Sequence, residues 1–206
     1  MMKIIQIFVS VAYIGCMWLL IRRIDPRYAA ACEQKKTAGA FAAAYLVLTN
    51  LLCLGTVGIW FESIFWATLT LAAFVDYCTT DVYDFIFCPP LIMGCVYLAE
   101  QGAWKSIINL LVFFGVQYII FRKLYGGADC LAFSMGAVYM AADNRALMSE
   151  FLLLMLFTFM ELGIVQLFKG NVNRKGNLKQ PVPLIPYIAF ALAIWQGYLS
   201  LPEGKI

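Results

Sequence analysis

Apolar residues in this chain are gathered into long runs near 4–21, 38–60, 63–76, 85–99, 105–121, 130–142, 147–168 and 183–200, with only brief polar stretches between them. A helix that crosses hydrocarbon takes about 20 residues. The pattern predicts an all-α polytopic membrane protein, a helical bundle of about eight transmembrane helices forming a single domain over residues 1–206. The third, fourth and sixth runs are short, which is tolerated where protein or water rather than lipid surrounds a helix. The first run is long for the core of a signal peptide. Arg22 and Arg23 follow it where a cleavage site would need small residues, so it reads as a retained span. No internal repeat or low-complexity segment is present.

Composition agrees. Of 206 residues, 63% are hydrophobic and 13% charged, against about 25% charged in soluble domains. The mean hydropathy is +0.81. An ordinary soluble domain and a disordered chain are both excluded. The net charge of +3 is small and implies no nucleic-acid partner. Its distribution says more. With eight spans, Arg22, Arg23, Arg27, Lys35, Lys36, Arg122, Lys123, Lys169, Arg174, Lys175 and Lys179 share one side, and Lys3, Lys105, Arg145 and Lys205 the other. Basic loops stay inside, so the first side is expected in the cytoplasm and both termini outside. The partner implied throughout is the lipid bilayer. Trp60, Trp104 and Trp195 near span ends fit an interfacial belt.

Histidine is absent, and the seven cysteines form no Cys-x-x-Cys pair. That excludes a Ser-His-Asp triad and histidine-ligated haem, and argues against a clustered zinc site. No cofactor and no metal are expected. Asp25, Glu33, Glu62, Glu100, Asp143 and Glu203 fall in expected loops or tails and read as solvated charges. Asp76, Asp81, Asp84, Asp129, Glu150 and Glu161 are more informative, because an ionisable group near hydrocarbon normally faces a cavity or a partner. Asp76 ends the third run, and Asp129 opens the sixth behind Gly126-Gly127-Ala128. The expected topology puts both at the cytoplasmic boundary. Two carboxyls meeting there could share one proton, the ionised one activating water and the protonated one donating to a carbonyl oxygen. Taken separately, both are ordinary residues at helix ends. Glu150 and Glu161 are eleven residues apart, so they share a helix face, a polar stripe turned to the bundle interior.

Gly126-Gly127-Ala128-Asp129 resembles the Gly-x-Gly-Asp motif of the type IV prepilin peptidases, membrane-embedded aspartic peptidases. Asp76 resembles their first aspartate. Val82-Tyr83-Asp84, followed by Pro89, stands at the place of their Ile-Pro-Asn and later proline. Val182-Pro183-Leu184-Ile185-Pro186-Tyr187 is similar to the motif at the entry to their last helix. The departures are Tyr83 for a proline, Ala128 and Ile185 for glycines, and Leu131 for a frequent lysine. The resemblance implies catalytic Asp76 and Asp129, with Asp84, Gly126, Gly127, Ala128, Pro183 and Pro186 as motif or substrate-binding positions. It implies a prepilin leader peptidase of the cell inner membrane, multi-pass, whose active site faces the cytoplasm. Its substrates would be prepilin-like proteins with a short basic leader and an N-terminal hydrophobic helix. Larger bacterial members add a cytoplasmic segment with two Cys-x-x-Cys pairs and also methylate the new N-terminus. Those cysteines are missing here, so a form that only cleaves is expected, with methylation left open.

Two other assignments remain open on sequence. Tyr83-Asp84 paired with Asp129 could be a presenilin-like intramembrane protease. A bundle with paired acids could also be a proton-coupled transporter or a secretion-system scaffold, although transporters often carry repeats.

Overall fold

The computed structural model describes residues 2–52, 57–143, 148–171 and 182–199. Among these the chain is helical, with no strand. The order is α1 (Met2–Ile24), α2 (Pro26–Glu33), α3 (Lys36–Leu52), α4 (Ile59–Thr79), a 3₁₀ turn (Asp84–Phe87), α5 (Cys88–Glu100), α6 (Trp104–Val116), a π turn (Gln117–Phe121), α7 (Arg122–Tyr125), α8 (Gly127–Ala142), α9 (Met148–Phe168) and α10 (Ile185–Leu199).

Each expected apolar run contributes a helix, but the helices are of two kinds. Among the described residues, four are long and apolar enough to cross a membrane: α1, α4, the continuous stretch Trp104–Tyr125 and α9. Helices α3, α5, α8 and α10 have 17, 13, 16 and 15 residues. At 1.5 Å per residue these are shorter than the ~30 Å hydrocarbon core. The second run, expected to continue to residue 60, has its described helix end at Leu52, and α4 takes up the chain from Ile59. Gly58 precedes it at φ +103°, a conformation that interrupts any helix.

Burial separates inner from outer helices. In its apolar window α4 is 72% buried, against 17% for α1, 17% for Trp104–Tyr125 and 28% for α9. Helix α8 is buried along nearly its whole length. The outer faces carry Phe8, Ile119 and Phe168, each more than 70% exposed, an apolar surface suited to lipid rather than water. This is a membrane protein by that surface and by its four long apolar helices. The inner pair is joined by aromatic packing, with the Tyr139 ring of α8 stacked on Phe65 of α4 at 4.2 Å and edge-on to Trp66 at 5.4 Å. At Gly94 of α5 a Cβ would overlap Val138 and the Phe61 ring, so α5 lies against both inner helices only because that side chain is missing. Four hydroxyls inside the bundle return to their own helix. Ser63, Thr70, Ser134 and Thr158 each bond the carbonyl four residues back, at 2.6–2.8 Å, which satisfies them without a partner helix.

At one end of the bundle α1, α3 and α4 enclose a polar cluster. Glu62, expected as a solvated charge, is fully buried in α4. It accepts from Gln6 Nε2 at 3.3 Å and from Val57 N–H at 3.1 Å. Beside it Ser10 donates to Asn50 Oδ1 at 3.2 Å or to Ser63 O at 3.0 Å. At the opposite end gather the C-termini of α1 and α4, helix α2, and the starts of α8 and α10. Arg22, Arg23, Arg27, Lys35, Lys36, Arg122 and Lys123 lie there too. Arg145, Arg174, Lys175, Lys179 and Lys205 fall outside the described residues.

Candidate active site

The loop that follows α4 is tied down from α1 and α2. Asp25, expected as a solvated charge, caps α2 by accepting Arg27 and Tyr28 N–H at 3.1 Å, and its other oxygen accepts the Tyr83 hydroxyl at 3.2 Å. The Tyr28 and Tyr83 rings pack at 5.1 Å. The Tyr28 hydroxyl donates to the Asp81 carbonyl, and burial raises its pKa, which keeps that donor protonated. Lys35 donates to the carbonyls of Tyr77 and Cys78 at 3.1 and 3.0 Å, a cation on the last, unsatisfied carbonyls of α4.

Asp76 sits one turn before the end of α4 and is 5% exposed. Its Oδ2 accepts the Ile185 N–H at 2.9 Å, and the Leu184 N–H also bonds the carboxyl. The first turn of a helix leaves N–H groups without partners. Leu184, the residue before α10, has no side-chain acceptor to offer them, and Pro183 and Pro186 have no N–H. A carboxyl 109 residues away therefore does the work of an N-cap. The Val182–Tyr187 segment is thus brought onto Asp76.

Asp129 is the third residue of α8 and half-buried. The turn before it depends on Gly126, at φ +103° and ψ 166°, a region open to glycine alone. A Cβ on Gly126 would stand 3.5 Å from Asp129 Oδ2, so the carboxyl folds back over its own turn. A Cβ on Gly127 would stand 3.7 Å from Arg122 Nε, which puts a guanidinium beside the turn. Ala128 is an ordinary helical position. The Asp129 and Asp76 carboxyls are close enough to interact electrostatically.

The structure therefore brings Asp76, Gly126–Asp129 and Pro183–Pro186 to one end of the bundle. Asp84 is at that end too, and its charge reaches Cys130, the neighbour of Asp129. Asp84 is exposed, at the first position of the 3₁₀ turn. Asp81 is exposed as well, and its charge reaches Asp76. Glu150 and Glu161 lie elsewhere, on α9, each with one buried oxygen that has no hydrogen-bond partner among the described residues. No group of three or more His, Cys, Asp or Glu side chains able to hold a metal ion occurs among the described residues.

Sequence reasoning missed Gln117 and Tyr125. Gln117 is fully buried and touches both ends of the Asp129 turn. Its signal was an amide side chain inside the apolar run 105–121.

Comparison with known protein families, curated proteins and solved structures yields no significant match for this chain.

Proposed function

We propose that this protein is a membrane aspartic endopeptidase that cleaves short basic leaders from prepilin-like precursors. One observation supports the assignment most. A buried carboxyl ending α4 interacts electrostatically with a second carboxyl in the first turn of α8, and the segment resembling the family's third motif hydrogen-bonds the first of them. In this proposal the bundle crosses the cell inner membrane eight times, and the pair faces the cytoplasm. The precursor's hydrophobic helix lies in the bilayer beside the enzyme, its scissile bond at the level of the two acids.

The chemistry needs one proton shared by two carboxyls. The ionised member takes a proton from water as the oxygen attacks the scissile carbonyl carbon. The protonated member donates to the carbonyl oxygen, giving a neutral tetrahedral diol. Collapse breaks the C–N bond, with a proton delivered to the departing amine. The N–H donors of Leu184 and Ile185 orient the Asp76 carboxyl and leave Asp129 to titrate against it. The step uses no covalent intermediate and no metal.

The test is cleavage of a purified precursor by the purified chain. Neutralising either member of the pair removes the acid or the base, so Asp76→Asn and Asp129→Asn should each abolish cleavage while the protein remains in the membrane. Asp84→Asn should keep measurable turnover, because an exposed residue outside the pair affects binding more than chemistry. An active Asp76→Asn beside a folded but inactive Asp84→Asn would instead favour the presenilin-like pairing. Absence of cleavage by the native chain would leave the transporter or scaffold assignment.

A further inference from the structure

We propose that Gln117 is a positioning residue for Asp129, acting through the π turn that ends α6 and through Tyr125. The inference rests on the peptidase reading above.

Gln117 opens the π turn and is fully buried. Its N–H bonds the carbonyls of Phe113 and Phe114. Its carbonyl accepts the Arg122 N–H five residues on, the bond that makes the turn π rather than α, and also the Cys130 thiol at 3.4 Å. Its side-chain Oε1 accepts the Tyr125 hydroxyl. Its Nε2 reaches Met155 Sδ on α9 at 2.8 Å.

Tyr125 and Cys130 bracket the segment Gly126–Asp129. Both ends of the turn that carries Asp129 are therefore fastened to one residue, and that residue is fastened to α9. Tyr125 is also close enough to the Asp129 carboxyl to interact with it electrostatically. The π turn supplies the register. One residue inserted into a helix rotates everything after it by about 100°. Without it Tyr125 would leave Gln117, and Gly126 would start α8 in another direction. π turns of this kind recur at functional sites.

The experiment is a double-mutant cycle with Gln117→Leu, Tyr125→Phe and the pair together, assayed on the precursor across pH. A misplacement of about 1 Å can cost roughly 100-fold in rate. Each single change should lower kcat by about 10- to 100-fold and leave KM nearly unchanged. The limb of the kcat pH profile set by the carboxyl pair should move in both. Because the two side chains act as one unit, the double variant should be no slower than the slower single. Gln117→Glu keeps an acceptor for Tyr125 and should recover most of the rate. A loss confined to KM, losses that multiply, or unaltered kcat in both singles would overturn the proposal.

A second readout needs no activity. Cys130 is fully buried with its thiol on the Gln117 main-chain carbonyl, which both substitutions leave in place, so its reactivity reports whether the side-chain tie to Tyr125 holds the turn closed over it. Its reaction with N-ethylmaleimide, followed by mass spectrometry, should quicken in both singles, and an unchanged rate counts against the tie. Tyr125→Phe removes one hydroxyl only and serves if Gln117→Leu does not fold. If the native chain cleaves no precursor, the peptidase reading fails, and Cys130 labelling still decides whether Gln117 holds the turn.

Discussion

Gly126 is the first glycine of Gly126-Gly127-Ala128-Asp129, and the structure distinguishes it from its neighbours. At φ +103° a side chain costs about 1–3 kcal/mol of backbone strain, although its Cβ would meet Asp129 Oδ2 at an ordinary 3.5 Å. Gly126→Ala is expected to lower the unfolding temperature in detergent and to reduce cleavage at least tenfold, a displaced acid having that effect readily. Gly127→Ala is expected to do neither, because its Cβ would meet Arg122 Nε at an ordinary 3.7 Å. Equal losses in the two variants would count against a special role for the first glycine. The same geometry explains why Ala128 can stand where the resembled family carries glycine. That position lies inside the helix, where alanine is the best former. The run of small residues was readable from sequence. Which of them bears the strain was not, since the strain is a property of the turn and not of the residue type.

At the scale of elements, the site depends on one helix capping another. Helix α10 starts against Asp76 of α4, so the donor and the acid are set by packing between two helices. Ile185→Pro tests this directly. Proline is tolerated in the first turn of a helix, so α10 should persist, but the N–H that reaches Asp76 at 2.9 Å is gone. Cleavage should fall by about tenfold or more, in line with a lost hydrogen bond to a charged group worth roughly 1.5–3 kcal/mol. Ile185→Ala keeps the N–H and loses only packing, so it should stay closer to native in kcat. The reverse order would mean that the Ile185 side chain, not its amide, matters. Sequence reading located the proline-flanked segment and Asp76 separately, because local signals mark both. Their meeting across 109 residues is tertiary and has no local signature. The same blindness explains Glu62. Read beside its neighbours it is a charge at a helix end. In the fold, Gln6 of α1 and the Val57 amide surround it, so it is fully buried. Gln117 is the third case. Its partners Tyr125 and Cys130 are near in sequence, but only the π turn brings them together.

For the whole molecule, the arrangement of long and short helices bears on how the chain sits in the bilayer. α1, Trp104–Tyr125 and α9 expose apolar faces and have spanning length. α8 is short but buried, and a helix surrounded by protein need not match the hydrocarbon thickness. The apolar runs were legible because lipid imposes composition over whole segments. Their lengths were less so, because a buried helix is ended by its neighbours and by turns such as Gly126. The acids and the described basic residues Arg22, Arg23, Arg27, Lys35, Lys36, Arg122 and Lys123 share one end. The turn between α5 and α6 lies at the other, where Glu100 and Gly58 line one cleft of about 350 Å³. Basic residues beside a span are held on the cytoplasmic side, so the proposed site is expected to face inward. Cys130 cannot report on this, being buried. Exposed positions can. In a background with its own cysteines replaced, Lys123→Cys should resist a membrane-impermeant maleimide in intact cells and react once the membrane is opened. Gln101→Cys, exposed at the opposite end, should react in intact cells. Labelling of residue 123 but not residue 101 from outside would invert the bundle, and with it the side from which a precursor could reach Asp76 and Asp129.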